Sequence, residues 1–125
     1  MVADTDSFGL GQLRRGVAEY CVLALLRQGS GYGFDLAQTL SVAGLIAGEG
    51  TIYPLLARLR KVGRVESFWQ ESAEGPPRRY YRLTAAGHEA LDCFTSQWLR
   101  FRSTVDQLLA SKGEEFPDVE PECRR

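Results

Sequence analysis

Ile52-Tyr53-Pro54-Leu55-Leu56-Ala57-Arg58-Leu59-Arg60-Lys61-Val62-Gly63-Arg64-Val65-Glu66-Ser67-Phe68-Trp69-Gln70 changes its period at Gly63, and that change decides the fold. Before the glycine, Ile52, Leu55, Leu56, Leu59 and Val62 recur at the spacing of one helix face. Pro54 fits such a helix only in the first turn, where its missing N–H costs no hydrogen bond, so the helix starts near Gly50 or Thr51. After the glycine, Val65, Ser67 and Trp69 alternate with Glu66, Phe68 and Gln70, an aromatic-rich strand rhythm. Glu74-Gly75-Pro76-Pro77 must be a loop. Arg79, Tyr81 and Leu83 then alternate with Arg78, Tyr80 and Arg82, which gives the return strand of a hairpin.

Upstream, Leu13, Val17, Tyr20, Cys21, Ala24 and Leu25 set a helix over Gln12–Gln28, and Ala18–Leu26 is apolar nearly all round except Glu19. Gly29-Ser30-Gly31 ends it, with Ser30 placed to cap a second helix from about Gly31 to Val42 that carries Tyr32, Leu36 and Leu40 on one stripe. The three glycines of Ala43–Gly50 read as a loose connection. Downstream, Thr84 caps a helix reaching about Ala110, in which Leu91, Phe94, Trp98, Phe101, Val105 and Leu108 form a heptad seam. The expected fold is therefore mainly α with a small β-hairpin: a winged helix-turn-helix followed by a long C-terminal dimerisation helix. In domain terms this gives a flexible arm over 1–10, a winged helix-turn-helix over 11–83, a dimerisation helix over 84–110 and an acidic, disordered tail over 111–125.

The bulk numbers limit function. A chain of 125 residues has the length of one domain, and 44% apolar with 25% charged residues is an ordinary globular balance. Its longest apolar run is far short of the roughly 20 residues that span a bilayer, and the start shows no export signal, so a cytoplasmic protein with no membrane partner is expected. Cys21, Cys93 and Cys123 are odd in number and widely spaced, which suits a reducing compartment and offers no metal-ligand pair. No phosphate loop and no nucleophile–base pairing stand out, which argues against an enzyme and against a cofactor. Net charge is only −1, yet the acidic residues gather at the ends and the middle carries seven arginines and lysines from Arg58 to Arg82.

That basic centre falls on the third helix and the hairpin. With the apolar stripe inward, the third helix shows Tyr53, Ala57, Arg60 and Arg64 outward, with Pro54, Arg58 and Lys61 beside them. One buried face and one basic, tyrosine-bearing face suit a helix that enters a major groove. Gly75-Pro76-Pro77-Arg78-Arg79 puts two guanidiniums at the tip of a stiff turn, where they can meet phosphates or a narrow minor groove.

Three ordered motifs carry a specific resemblance. Gly31-Tyr32-Gly33-Phe34-Asp35-Leu36, Gly50-Thr51-Ile52-Tyr53-Pro54-Leu55-Leu56-Ala57-Arg58-Leu59, and the run from Gly75 through Arg82-Leu83-Thr84-Ala85-Ala86-Gly87 resemble the PadR family of repressors over roughly Leu13 to Leu109. The resemblance implies double-stranded operator DNA as partner, a homodimer, and Tyr32, Thr51, Tyr53, Arg58, Arg78 and Arg79 as DNA contacts, to which the helix face adds Arg60 and Lys61. The single long last helix looks like the short branch, and Ser67-Phe68-Trp69, His88-Glu89 and Trp98 are similar to its multidrug-sensing members.

Phe94, Trp98 and Phe101 are larger than a tight two-stranded seam prefers. They either fill a dimer core or line a cavity in which a planar aromatic effector stacks on Trp98 and its symmetry mate. The whole sequence thus reads as a ligand-responsive repressor on a pseudopalindromic operator. The alternatives are a winged-helix protein-interaction adaptor and a metal- or redox-sensing repressor, the latter built on cysteines expected to be buried. His88, at an exposed helix start, and Trp69, expected to pack beside Val65, are given no role.

Overall fold

The computed structural model describes residues 10–111, so most of the expected arm and nearly all of the acidic tail, with Cys123, lie outside the described residues. The elements follow in the order α1 (Leu10–Leu26), β1 (Gly31–Tyr32), α2 (Gly33–Val42), a 3-10 turn (Glu49–Thr51), α3 (Ile52–Lys61), β2 (Val65–Gln70), β3 (Arg78–Leu83) and α4 (Ala85–Ala110). Leu10, assigned above to the arm, is already helical, because nothing in Leu10–Gln12 interrupts the helical turn before Leu13.

The core is built where the apolar runs of α1, α2 and α3 meet. Val22 and Leu23 of α1, Leu40 of α2, and Ile52, Leu56 and Leu59 of α3 are fully or almost fully buried. Each such side chain contributes about 1.5–3 kcal/mol by leaving water. Leu13 is exposed and the inward stripe of α1 is Ala18, Val22, Leu23 and Leu26, shifted from the stripe expected around Leu13 and Val17. Val62, expected on the buried face of α3, is 57% exposed. It is the C-cap of α3, and the chain turns there into Gly63, whose φ of +82° is a left-handed conformation that glycine adopts without strain. The Arg64 N–H donates to the Leu59 carbonyl at 2.9 Å and the Gly63 N–H to the Arg60 carbonyl at 3.1 Å, which closes the helix and sends the chain into β2.

The hairpin is one strand larger than its period shows. Gly31 and Tyr32, expected to open a helix, instead pair antiparallel with Tyr81 and Tyr80, so the sheet has three strands in the order β1-β3-β2. α2 accordingly starts at Gly33 with Tyr32 as its N-cap, without a side-chain cap from Ser30. A Cβ on Gly31 would press on Leu26 and Leu36, so a bare glycine lets this short strand lie against the core.

Thr84 caps α4 as expected: its hydroxyl accepts from the Gly87 N–H at 3.0 Å and donates to the Gly63 carbonyl at 2.6 Å. The same hydroxyl therefore ties α4 to the end of α3. Gly87 brings α4 down on the Arg64 carbonyl, and one turn later Leu91 falls into the core at 3% exposure. Leu91 is thus part of this chain's own core and not of the seam to which its heptad position assigned it. The chain forms two compact units, one ending at Leu91 and one starting at Asp92.

Candidate nucleic-acid interface

α3 presents the polar face that its sequence requires. Ile52, Leu55, Leu56 and Leu59 are buried, while Thr51, Tyr53, Ala57, Arg60 and Lys61 are exposed. Pro54 sits in the first turn, preceded by the 3-10 turn. Tyr53 is half exposed, its ring edge lying against Gly33 of α2, so the phenol is held by packing rather than left to swing. Arg58, Arg60 and Lys61 all fall in the last turn of α3, where cations also oppose the negative end of the helix dipole.

The register of the wing separates its two arginines. β2 and β3 pair Phe68 with Tyr80, Trp69 with Arg79 and Gln70 with Arg78. Neighbouring residues of a strand point to opposite faces, so Arg78 and Arg79 do not stand together at the hairpin tip, as the sequence implied, but on opposite faces of β3. Arg78 lies over the Tyr32 ring, 4.8 Å from its centroid, on a face where Tyr80 packs between Tyr32 and Phe68. Arg82 covers Phe68 at 4.4 Å and is paired with Glu66 at 2.7 Å, so its charge is already answered.

Arg79 turns toward α3. Its Nη2 donates to the Ser67 hydroxyl at 3.1 Å, and Arg60 Nη1 of α3 reaches the same oxygen at 3.4 Å. One hydroxyl thus gathers a guanidinium from the helix and one from the wing, with no carboxylate bound to either by a described contact. Arg79 also lies 5.5 Å from the Trp69 ring centroid, and its Nε is buried without a hydrogen-bond partner. Trp69, expected to pack, is 66% exposed: it sits beyond the core, toward the free end of the strand, and Arg79 is what it touches.

Arg58 is placed differently from its neighbours. Its guanidinium is bound to the Glu19 carboxylate of α1, which is largely shielded from water. Arg64 is half-buried over the Tyr20 ring of α1 at 5.9 Å. Ser67 and Glu19 were absent from the sequence-based set of site residues. Ser67 stands diagonal to Arg79 across the hairpin, a relation that becomes visible once register is known. Glu19 gives one hint, as the sole charge in the apolar stretch Ala18–Leu26.

In the second unit, Phe94 and Trp98 stack at 5.8 Å, and Trp98 meets Phe101 at 5.9 Å, so the three aromatic residues of the seam form one strip along α4. Phe101, Leu108 and the neighbouring Leu99 and Leu109 are exposed within the chain, while Val105 is half-buried. Burial pushes the Cys21 thiol above its ordinary value, so no reactive thiolate is favoured there. Cys93, expected to be buried, is exposed, because it sits two residues past Leu91 on the outer side of the helix. Among the described residues no group of three or more His, Cys, Asp or Glu side chains could hold a metal, and no helix is long and apolar enough to cross a membrane.

Comparison with known proteins matches this geometry. Residues 22–93 match the sequence profile of the Transcriptional regulator PadR-like family. The chain is similar to a PadR-like transcriptional regulator from Bacillus cereus, at 37% identity over 81% of this chain and 99% of that one, with a TM-score of 0.74. It is also similar to a PadR family transcriptional regulator from Eggerthella lenta, at 34% identity over 87% of this chain and 96% of that one, again with a TM-score of 0.74. A transcriptional regulator of Mycobacterium tuberculosis is 43% identical over 60 residues, which span 48% of this chain and 55% of that protein. A winged helix with a tyrosine- and arginine-bearing third helix, over a stretch this family profile covers, is a DNA-binding device and not a catalytic one, and the chain belongs to the PadR-like family of transcriptional regulators.

Proposed function

We propose that two copies of the chain join through α4 and repress transcription by holding a pseudopalindromic operator, releasing it when a planar aromatic effector enters between the paired helices. The observation that carries the DNA half is the convergence of Arg60 and Arg79 on Ser67, which concentrates positive charge in the angle between α3 and the wing. α3 enters the major groove with Thr51 and Tyr53 foremost, and Arg60 and Lys61 meet the flanking phosphates. Arg79 faces the same backbone, while Arg78 and Tyr32 reach the next stretch of duplex from the other face of the wing. Arg58, bound to Glu19, contacts DNA least directly and sets the angle of α3 against α1.

The dimer half rests on the apolar strip. Phe94, Trp98, Phe101, Val105 and Leu108 keep a heptad spacing, and a second copy of α4 supplies what would cover them. A symmetric pair then sets its two recognition helices about 34–36 Å apart, one turn of duplex. The Phe94–Trp98–Phe101 stack offers flat walls to an aromatic guest. Such a guest need favour the released geometry by only about 1–3 kcal/mol to act as a switch. A gel shift on the DNA upstream of the chain's own coding sequence tests this reading, run with and without a non-intercalating planar aromatic dye. The expected result is a retarded band that disappears as dye is added. A protein-docking adaptor of the same fold would leave that DNA unshifted.

A further inference from the structure

We infer that Ser67 is a positioning residue for DNA: its hydroxyl joins Arg60 of α3 and Arg79 of the wing into one unit, so that the two guanidiniums take neighbouring phosphates of a single strand together. The inference rests on the DNA reading above and names the residue that links helix to wing. Val65, Ser67 and Trp69 share one face of β2, and their exposure rises in three steps: Val65 lies in the core, Ser67 is half-buried and Trp69 is exposed. Ser67 is thus the first side chain of that face past the core. A serine hydroxyl has two lone pairs and one proton. Arg79 Nη2 donates to the oxygen at 3.1 Å and Arg60 Nη1 approaches it at 3.4 Å, which leaves the O–H as a further donor.

Arg79 is the fixed member of the pair. Its Nε is buried with no hydrogen-bond partner, and its guanidinium lies over the Trp69 ring. An arginine free to choose would turn that N–H to water, because a buried unpaired donor costs stability. Ser67 on one side and Trp69 on the other therefore set its place. Arg60 is the adjustable member: it is exposed, and its 3.4 Å approach is longer than a full N–H···O hydrogen bond. Two like charges drawn to one neutral oxygen repel each other, and a hydroxyl cancels little of that repulsion. An anion beside each guanidinium relieves it, so the pair is preorganised for a row of phosphates. One strand of duplex carries a charge every 3.4 Å or so of rise (about 3.4 Å), close enough for two side chains joined at one oxygen to reach consecutive phosphates. Since Ser67 is uncharged, removing its hydroxyl alters how the cations are placed and not how many there are.

Fluorescence anisotropy of the full chain on a labelled duplex from its upstream region tests the inference, with each phosphate replaced in turn by an uncharged methylphosphonate. In the parent chain, replacement at either of two consecutive positions in each half-site should raise the Kd about tenfold. Arg60→Ala should become insensitive at one of these positions and Arg79→Ala at the other. Ser67→Ala should raise the Kd for the unmodified duplex about fivefold while keeping the parent's salt slope. It should also shrink both tenfold losses to about two- or threefold, because the linked cations no longer act together. Ser67→Thr, which keeps the hydroxyl, should return all of these values to within about twofold of the parent. A hydroxyl that merely supports the hairpin would cost the same at every phosphate, and such a uniform loss would overturn the inference. So would a Ser67→Ala chain with the parent's affinity, a flattened salt slope in that variant, or Arg60 and Arg79 mapping to phosphates that are not consecutive. The last mapping leaves Ser67 intact, so it decides the matter even for a Ser67→Ala chain that fails to fold. A parent chain that binds no duplex would sink the DNA reading and the inference with it; binding without such a phosphate pair would sink the inference alone.

Discussion

Gly87 has no side chain where α4 crosses the Arg64 carbonyl, and a Cβ there would strike that oxygen and crowd Leu83. The opposing atom is backbone, fixed by the start of β2, so it has little freedom to give way. Gly87→Ala is therefore expected to destabilise the fold by about 1–3 kcal/mol in spite of alanine's better helix propensity. Thermal unfolding followed by circular dichroism reads this as a fall in Tm of several degrees, and an unchanged or higher Tm would contradict the packing. The sequence contains Gly87 in a motif but gives no reason for it, because the reason is the distance to a residue 23 positions earlier (87 − 64). Gly63 is the opposite case: the switch of period from helix to strand falls on it, and its positive φ is what such a switch needs. The Arg58–Glu19 pair, between residues 39 apart, is hinted at only by the lone charge of Glu19 in an apolar stretch, and nothing local names Arg58 as its partner.

In the wing, two guanidiniums adjacent in sequence stand on different faces and meet different partners because the strand alternates. The hairpin, its loop and the cap of α4 were legible, since each has a local signature in period, Pro-Gly content or a threonine ahead of a helix. β1 was not, because two residues display no period, and the spacing of Tyr32, Leu36 and Leu40 mimics a longer helix. The opposite placement of Arg78 and Arg79 was hidden for a related reason: it depends on where the loop ends, which sets the register. If Arg60, Lys61, Arg78 and Arg79 of each copy all meet phosphates, a pair neutralises about eight, and log K falls with log salt at a slope of about −7. Replacing Arg78 and Arg79 by alanine removes half of these, so the slope should flatten to about −4 and affinity should fall on all sequences alike. A slope and affinity equal to those of the parent chain would take the wing out of the interface.

At the scale of the whole molecule, the order of the helices and the hairpin, though not β1, was readable from the sequence because each carries an apolar pattern of its own period. The division of labour along α4 was less so. Leu91 and Phe94 share one heptad pattern, yet Leu91 closes the core of the first unit while the aromatic strip begins after it. A heptad pattern records which side of a helix is apolar and not which partner covers it. If the strip houses the effector, Trp98→Ala should remove the response to a planar aromatic dye while sedimentation still reports a dimer. A dye response that survives the substitution would place the effector elsewhere.

The central claim is that a pair of chains lays α3 and the wing on duplex DNA through a surface of cations. Its most direct test is fluorescence anisotropy on a labelled duplex from the chain's upstream region, repeated across a salt series with the stoichiometry fixed by sedimentation. Two chains per duplex and a steep linear loss of log K with log salt, near the slope of about −7, are the expected result. A single chain on the duplex, or an affinity indifferent to salt, would contradict the account.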